Sequence, residues 1–490
     1  MKTKEVLAVL IAAFLLLSFA NISLETFASK TQKSNNAFES GKRCTTIIIG
    51  KEASADGSVL LGHNEELGDR TCMHIRVAPS MSYSPDDVIE TFFGAKIRVG
   101  DIPHWTSQSC VYIRLAAFDE KYVPGDLAAG INEYQVSIAN NLAYSKETWL
   151  RDTKGWHVAK TGDILWSEFM EIALKWAKTS REAVEIIAWL AETYGLGCDP
   201  GTMFGITDPN EGWWIEIGFK HWVAKRVLDN AMEMRANYFR IGTEWDIGSS
   251  DVVEFAIEQG WYDPNSGPFN WTEVYGDPSG WGSRQYLRHW RVESLLEEYA
   301  EGGVSISEIM SILRDHYEGT SYDTTDMYEY GSPHDTPYRT ICRDYTVESF
   351  VAQSRDWMPS AIGGVMWIAL TSPCSSVYVP WYMGILSVPQ AYQVGTNGYD
   401  KNSAWWAFEK LSDTVDKNCG SRIWTVRNAW RLFEEEEFDD VQSLEAEAME
   451  LWVNGYFSEA RRLLTSYTWY RAISAMQLAI KLTAEIAHLK

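Results

Sequence analysis

Cys44 stands directly behind the basic pair Lys42-Arg43 and opens the β-branched run Thr45 to Ile49. A cysteine at a mature N-terminus has its own α-amine beside the thiol. The pKa of such an amine, about 7.7–8.0, suits a general base near neutral pH. The alternative is a packed or disulfide-bonded cysteine, the common role of an isolated cysteine. The context favours a nucleophile that becomes the first residue of the mature chain.

The segment before Cys44 has the pattern of a removable leader. Lys2 and Lys4 precede an apolar run over residues 6–20, and residues 26–28 read Thr-Phe-Ala, a plausible cleavage site, so residues 1–28 are predicted to be a signal peptide. A membrane anchor is the alternative, but a spanning helix needs about 20 apolar residues. Residues 29–43 are polar and aperiodic, which predicts a propeptide. The mature protein is therefore expected to be secreted or extracytoplasmic, with no stable membrane insertion.

The number of cysteines is odd, whereas exported proteins usually carry an even number. If the others pair, the one left over is most economically the nucleophile. No spacing matches a zinc knuckle or a CxxC redox site, and neither a metal nor a cofactor is predicted. The seven are Cys44, Cys72, Cys110, Cys198, Cys342, Cys374 and Cys419.

A β-hairpin is predicted to follow Cys44. The Asp56-Gly57 turn signal separates the first β-branched run from a second apolar run over residues 59–64. The return strand therefore ends near Cys44. It delivers four polar residues to the neighbourhood of the thiol: His63, Asn64, Glu65 and Glu66.

The stretch CTTIIIGKEASADGSVLLGHNEE, residues 44–66, resembles the start of the dipeptidases of peptidase family C69. These are N-terminal-nucleophile (Ntn) cysteine hydrolases related to secernins and, more distantly, to penicillin V acylases and bile salt hydrolases. The resemblance continues through GINEYQVSIANN, FGITDPNEGWWIEI, HWVAKRV, RTICR and SSVYVPWYMG. It implies an α+β fold of the Ntn-hydrolase type, a four-layer αββα sandwich, with a helical C-terminal region.

The resemblance also implies roles for residues of the hairpin. Cys44 matches the nucleophile, and Glu66 lies near the position where acylase relatives keep an aspartate that contacts the nucleophile's amine. His63 stands where those relatives usually have arginine, although a histidine need not be charged at neutral pH.

Three further positions are implied outside the hairpin. Asn140 matches the amide of the family's oxyanion hole, with Asn141 as the alternative, and Asn237 matches a second family asparagine. The family's distal catalytic arginine has three candidates in this sequence: Arg339, Arg343 and Arg355.

The residues and the resemblance together predict acyl transfer on a small peptide. The Cys44 thiolate attacks an amide carbonyl, the α-amine moves the proton, and water hydrolyses the thioester. The carboxylates of Glu65, Glu66 and Asp69, beside Asn64, are expected to bind the ammonium group of a short peptide with a free N-terminus.

Three other functions compete with a dipeptidase. The nearest is an N-acyl amide hydrolase, which would use the same nucleophile. A secreted glycoside hydrolase is suggested by the 23 tryptophans, and the last is a non-catalytic binding protein on the same scaffold. The net charge of −24 excludes a nucleic-acid partner.

The elements that must position these residues follow the order strands, helices, strands. Strands are predicted over residues 72–77, 89–99 and 110–115, and a hairpin about Asn132-Glu133 is predicted over 128–141. Helices are predicted over 163–178 and 183–194. Strands return over 203–207, 213–217, 222–227, 365–370 and 376–380. Residues of about 242–337 read as an insertion or lid. Residues of about 403–490 read as helical, with a solvated acidic block at 434–437 and an amphipathic stretch over 463–489 that docks on the sandwich.

Overall fold

The computed structural model describes residues 44–67, 70–117, 127–150, 160–197, 200–278, 283–323, 332–334, 336 and 338–489. The predicted signal peptide and propeptide lie outside the described residues. Within the described part of the chain, no helix combines the length and apolar character that crossing a bilayer requires.

A six-stranded antiparallel sheet carries the start of the described chain. Its order is β14-β1-β2-β16-β17-β18. The predicted hairpin is confirmed, because β1 and β2 pair with Thr46 opposite His63. The strands are β1 (Thr45–Ile49), β2 (Val59–Glu66), β14 (Met232–Arg235), β16 (Thr346–Ser354), β17 (Val365–Leu370) and β18 (Val379–Tyr382).

An eight-stranded antiparallel sheet packs against the first, in the order β15-β13-β12-β11-β8-β7-β6-β3. Its strands are β3 (Met73–Ala78), β6 (Tyr112–Ala117), β7 (Leu127–Asn132), β8 (Ser137–Leu142), β11 (Thr202–Thr207), β12 (Gly212–Ile217), β13 (Trp222–Val227) and β15 (Ile247–Gly248). Two small pairs complete the strands: β4 (Val88–Glu90) with β5 (Lys96–Arg98), and β9 (Ile164–Leu165) with β10 (Leu196–Gly197).

Helices cover the outer faces of both sheets. They are α1 (Lys146–Trp149), α2 (Trp166–Trp176), α3 (Ser180–Thr193), α4 (Val252–Glu258), α5 (Trp271–Tyr275), α6 (Ser283–Tyr299), α7 (Ile306–Leu313), α8 (Ser360–Gly363), α9 (Ala404–Asp416), α10 (Cys419–Val453) and α11 (Phe457–Ile486). Helices α2 and α3 pack on the eight-stranded sheet, and α7, α9 and α11 pack on the six-stranded sheet. The four-layer αββα sandwich and the helical C-terminal region are confirmed.

Burial on both faces explains why the central strands read as continuous apolar runs rather than alternating ones. Every residue of β1 and β2 is buried. Alternation still decides which layer a side chain meets. Thr46 and Ile48 contact the eight-stranded sheet, whereas Gly62 lies against Ile309 of α7. A Cβ on Gly62 would come within 2.4 Å of the Ile309 side chain, so only glycine allows α7 to pack this closely.

The interval of about 242–337 contributes to the sandwich through its described elements. Strand β15 extends the eight-stranded sheet beside β13, helix α6 packs on β14, and helix α7 packs on β2 and β16. Helix α7 begins with a capping box, in which Ser305 and Glu308 satisfy each other's backbone N–H groups.

Two strand predictions were wrong in detail. Residues 89–99 were predicted as one strand but form the β4–β5 hairpin, because Gly94 takes a φ of 76° at the turn between them. The strand predicted over 376–380 is displaced to Val379–Tyr382, since residues 373–375 form a 3₁₀ turn first. Thr179 caps α3 by accepting a hydrogen bond from the Glu182 N–H.

Candidate active site

Cys44, at the start of β1, lies beside the end of β2. In the hairpin register Thr46 faces His63 and Thr45 faces Asn64, which brings Glu65 next to Cys44. The Cys44 Sγ donates to Glu65 Oε1 across 3.4 Å, and Glu65 Oε2 lies 3.3 Å from His63 Nε2. All three side chains are buried. A thiol, a carboxylate and an imidazole thus meet between the two sheets.

A chain of hydrogen bonds fixes where the protons of this cluster lie. Asn141 Nδ2 donates to the carbonyl oxygens of Arg235 and Ala236, at 3.2 and 3.0 Å, so Oδ1 is the atom that faces Thr46. The single Thr46 hydroxyl hydrogen goes to that Oδ1. Thr46 Oγ1 must therefore accept from His63 Nδ1, which is 2.7 Å away.

The other ring nitrogen of His63, Nε2, faces the Glu65 carboxylate, and this contact is favourable only with a proton between the two atoms. With Nδ1 already a donor, a bare Nε2 would direct its lone pair at the Glu65 carboxylate, an unfavourable contact. A proton therefore lies between Nε2 and Oε2, and the His63–Glu65 pair carries no net charge. His63 thereby gives Glu65 a proton-bearing partner at the position where the acylase relatives are expected to have arginine.

The surroundings keep the Cys44 thiol protonated. Burial raises the pKa of Cys44 well above its ordinary value, and the charge and hydrogen bond of Glu65 raise it further. The charges of Arg339 and Arg288 act in the opposite direction but do not outweigh these effects. Since only the thiolate is a strong nucleophile, the thiol needs a base that removes its proton during the reaction.

Arg288 of α6 contacts the backbone of Cys44. Its Nη1 donates to the Cys44 carbonyl oxygen at 2.8 Å and to Thr45 Oγ1 at 3.0 Å. Its Nη2 donates to Asn237 Oδ1 at 2.7 Å and to Gln285 Oε1. The guanidinium is fully buried, so helix α6 fixes both Cys44 and Asn237.

The model of the family "Peptidase family C69" matches residues 43–431 of this sequence. The chain belongs to peptidase family C69. Two similar proteins are a "Probable dipeptidase" of Salmonella dublin and a "Dipeptidase" of Bifidobacterium longum. The first is 28% identical over 70% of this chain and 81% of the relative. The second is 27% identical over 76% of this chain and 77% of the relative. Among solved structures, a conjugated bile acid hydrolase from Clostridium perfringens aligns at a TM-score of 0.39 and 11% identity, covering 73% of this chain and 97% of its own.

In this family C69 chain, the amide that reaches the cluster belongs to Asn141 and not to Asn140. The Asn140 side chain lies on the opposite face of β8, where Nδ2 donates to Thr202 Oγ1 and to the Met203 carbonyl oxygen. Successive strand residues point to opposite faces, so Asn140 faces the layer of α2 and α3. The structure therefore does not bring the Asn140 amide to Cys44, whereas the alternative residue, Asn141, is joined to the site through Thr46.

The same alternation separates Asn64 and Glu66 from the thiol. Glu66 forms an ion pair with Arg339, and Asn64 Nδ2 donates to the carbonyl oxygens of Leu313 and Ile341, at 2.9 and 3.0 Å. Both side chains point toward α7, so Glu65 occupies the position beside Cys44 that was predicted for Glu66. The remaining predicted substrate ligand, Asp69, lies outside the described residues.

The three arginines considered from the sequence have other partners. Arg339 pairs with Glu66, Arg343 lies 3.6 Å from Asp344, and Arg355 forms a bidentate pair with Glu445 of α10. Arg288 was missed because it lies in the interval of about 242–337, which resembled an insertion. Helical spacing over residues 286–299 was the available signal, but it does not indicate which face of the helix meets Cys44.

Glu348 is a second carboxyl group at the site that the sequence did not indicate. It is opposite Glu65 in the β2–β16 register and fully buried, and neither side-chain oxygen has a hydrogen-bond partner among the described residues. Burial raises the pKa of Glu348 well above its ordinary value, and the charge of Glu65 raises it further. Burial without a hydrogen-bond partner therefore favours the neutral form of the Glu348 carboxyl group beside Glu65.

The cysteines depart from the pairing expected of an exported protein. The six described cysteines, Cys198 lying outside the described range, are all free thiols. Two groups of described side chains have donor atoms close enough together to share one metal ion. One is Cys44, His63 and Glu65. The other is His316, His334, Cys342 and Cys374, which no local sequence spacing predicts.

Proposed function

We propose that this protein is a cysteine-type dipeptidase whose nucleophile is Cys44 after removal of residues 1–43. The observation that carries the proposal is the Cys44 thiol, buried directly before β1 and hydrogen-bonded to the Glu65–His63 pair. The beginning of the family match at residue 43 supports the same boundary. The leader pattern supports export to an extracytoplasmic compartment.

The chemistry is acyl transfer in two steps. The α-amine of Cys44 takes the thiol proton, and sulfur attacks the peptide carbonyl. The tetrahedral intermediate then expels the leaving amine, which receives that proton. A water molecule, deprotonated by the same α-amine, attacks the thioester and releases the acid, which regenerates the thiol. Glu65 accepts from the thiol and shares a proton with His63.

The two carboxyl groups between the sheets suit a substrate with a free ammonium group. Burial and the charge of Glu65 raise the pKa of Glu348, and an arriving cation would favour its ionised form. The ammonium group of a dipeptide would then pair with Glu348. An N-acylated peptide offers no such charge and would leave the carboxyl group without a partner.

The test compares free and N-acetylated dipeptides on wild type and Cys44→Ala. We expect wild type to cleave free dipeptides, with kcat/KM about 10–100-fold lower for the acetylated forms, the equivalent of one charged hydrogen bond. Cys44→Ala should lose at least about 10³-fold in kcat/KM. Cys110→Ala, which removes another buried free thiol, is the matched control and should keep activity.

Two outcomes would contradict the proposal. Full activity in Cys44→Ala would exclude this cysteine as the nucleophile. Equal or faster hydrolysis of N-acyl substrates by wild type, lost in Cys44→Ala, would keep the nucleophile but identify the enzyme as an N-acyl amide hydrolase.

A further inference from the structure

A second cluster of nucleophilic side chains lies on the outer side of the six-stranded sheet. Its four members, His316, His334, Cys342 and Cys374, are buried, and their donor atoms all lie within 4.8 Å of one another. The two Nε2 atoms are 3.1 Å apart. His334 Nε2 is 3.7 Å from each sulfur atom. The reaction proposed for Cys44 does not use any of these groups.

The outer partners of the two histidines bind their Nδ1 atoms, so the Nε2 atoms face the interior of the cluster. His316 Nδ1 lies 3.2 Å from Glu318 Oε1, and a carboxylate can only accept, so this nitrogen carries a hydrogen. His334 Nδ1 lies 3.1 Å from Ser332 Oγ and 3.4 Å from Asp416 Oδ1. Because the Ser332 hydroxyl donates to Asp416, Nδ1 of His334 must be the donor in its own contact.

The two Nε2 atoms therefore face each other across 3.1 Å, so either a shared proton or a metal ion must lie between them. In metal sites, a histidine that binds the ion usually donates its other ring N–H to a carboxylate, which is its outer partner. Glu318 and Asp416 supply that partner for His316 and His334, respectively.

The separations match the edges of a tetrahedral zinc site. Zinc bonds of about 2.0–2.1 Å to nitrogen and about 2.3 Å to sulfur place two nitrogens about 3.3 Å apart and a nitrogen and a sulfur about 3.6 Å apart. The measured distances are 3.1 Å and 3.7 Å. Two thiolates and two imidazoles in a tetrahedron select zinc among the common divalent ions.

We propose that His316, His334, Cys342 and Cys374 bind one Zn²⁺ ion in a closed, four-coordinate structural site. Zinc would replace the two thiol protons and accept all four lone pairs. No coordination position would remain for water, so the ion would have no part in catalysis.

The site would tie together segments that hold the catalytic hairpin. Cys342 follows Ile341, whose carbonyl oxygen accepts from Asn64. Arg339, three residues before Cys342, forms an ion pair with Glu66. Cys374 lies in the 3₁₀ turn after β17. Zinc would fasten the segment that contacts the outer face of β2 to the six-stranded sheet.

The chief alternative for two neighbouring cysteines in an exported protein is a disulfide. Oxidation of Cys342 and Cys374 to a disulfide would remove both thiolates and abolish the zinc site. The same purified protein can therefore be examined for either outcome.

The first experiment measures zinc in the purified full chain, produced with added Zn²⁺ and without chelators. We expect one zinc per chain in wild type, in Cys110→Ser and in Cys44→Ala, the last of which removes a donor of the other candidate group. The Cys374→Ser and His334→Gln variants should each retain at least about tenfold less zinc per chain than wild type. Asp416→Asn, which alters only the outer partner, should weaken zinc affinity about 10–100-fold.

A second measurement needs no variant. X-ray absorption at the zinc edge of wild type should show two sulfur and two nitrogen neighbours at about 2.3 and about 2.0–2.1 Å. Three results would overturn the proposal: wild type without zinc after reduction and zinc addition, bound zinc with only nitrogen and oxygen neighbours, or a Cys342–Cys374 disulfide in peptide mapping. Loss of peptidase activity in Cys44→Ala with zinc retained would separate this site from the proposed catalytic one.

Discussion

At the scale of single residues, the chemistry of the site depends on which side chains carry protons. The Cys44 thiol, the Glu65–His63 pair and Glu348 lie together in a buried space, where burial favours neutral forms. Burial and the charge of Glu65 raise the pKa of Cys44 and of Glu348, so the folded protein favours the neutral form of both groups. In the proposed mechanism, the α-amine exposed by removal of residues 1–43 would take the thiol proton, and a substrate ammonium group would pair with Glu348.

The raised pKa of Glu348 predicts a stability change in Glu348→Gln. Below the unfolded pKa of about 4.5, the carboxyl group is protonated in the folded and in the unfolded chain, so its ionisation does not change the free energy of unfolding. As pH rises above that value, ionisation stabilises only the unfolded chain, so Glu348 lowers the free energy of unfolding. Glu348→Gln should therefore be more stable than wild type at pH 7 and gain little at pH 4, as measured by urea unfolding.

The matched control is Glu435→Gln, an exposed glutamate of α10, whose effect should not grow between pH 4 and pH 7. In the activity assay, Glu348→Gln should raise KM for free dipeptides about 10–100-fold and leave N-acetyl dipeptides unchanged. A variant no more stable than wild type at pH 7 would show that Glu348 is ionised and paired in the folded enzyme.

At the scale of elements, the hairpin was predictable and the choice of face was not. The turn at Asp56-Gly57 and the two apolar runs predicted β1 and β2, and the register confirms them. An offset of one residue along a strand moves a side chain to the other layer. Because both layers are buried here, polarity did not show which residue of each pair, Glu65 or Glu66 and Asn140 or Asn141, faces Cys44.

The two asparagines of β8 provide a test of the observed faces. Asn141→Ala removes the acceptor that orients Thr46 and His63, and kcat/KM should fall about 10²-fold, the range of a lost catalytic hydrogen bond. Asn140→Ala breaks only the contacts with Thr202 and Met203, so stability should fall while kcat/KM stays within about threefold. A larger loss of kcat/KM in Asn140→Ala than in Asn141→Ala would contradict the described faces.

At the scale of the whole molecule, long-range pairs explain what the sequence pattern missed. The acidic block at 434–437 was predicted to be a solvated face, but Glu437 is fully buried against Arg471 of α11, and Glu434 pairs with Arg314. The partners lie far away in sequence, and a run of acidic residues does not indicate them. The docking of the C-terminal amphipathic helix followed from its periodicity, and α11 packs on β18.

The Arg355–Glu445 pair should be structural rather than catalytic. Arg355 binds Glu445 through two hydrogen bonds, at 2.8 and 2.7 Å, and Tyr382 donates to the same carboxylate. Arg355→Ala leaves a buried carboxylate without its cation, so the free energy of unfolding should fall by about 3–5 kcal/mol. The kcat/KM of the folded variant, measured at low temperature, should match wild type.

The exposed pair between Arg431 and Glu435 on α10 is the control for that substitution, and Arg431→Ala should change the free energy of unfolding by less than about 0.5 kcal/mol. A stable Arg355→Ala variant that loses activity would instead assign Arg355 to the reaction.

The N-terminal residue of the active enzyme is the most direct test of the central claim. The α-nitrogen of Cys44 is an amide while Arg43 remains attached, and an amide cannot take the thiol proton. Intact-mass and N-terminal analysis of the purified protein, combined with a dipeptide assay on each species, should therefore find activity only in chains that begin at Cys44. An active chain that still carries residues before Cys44 would contradict the N-terminal-nucleophile mechanism.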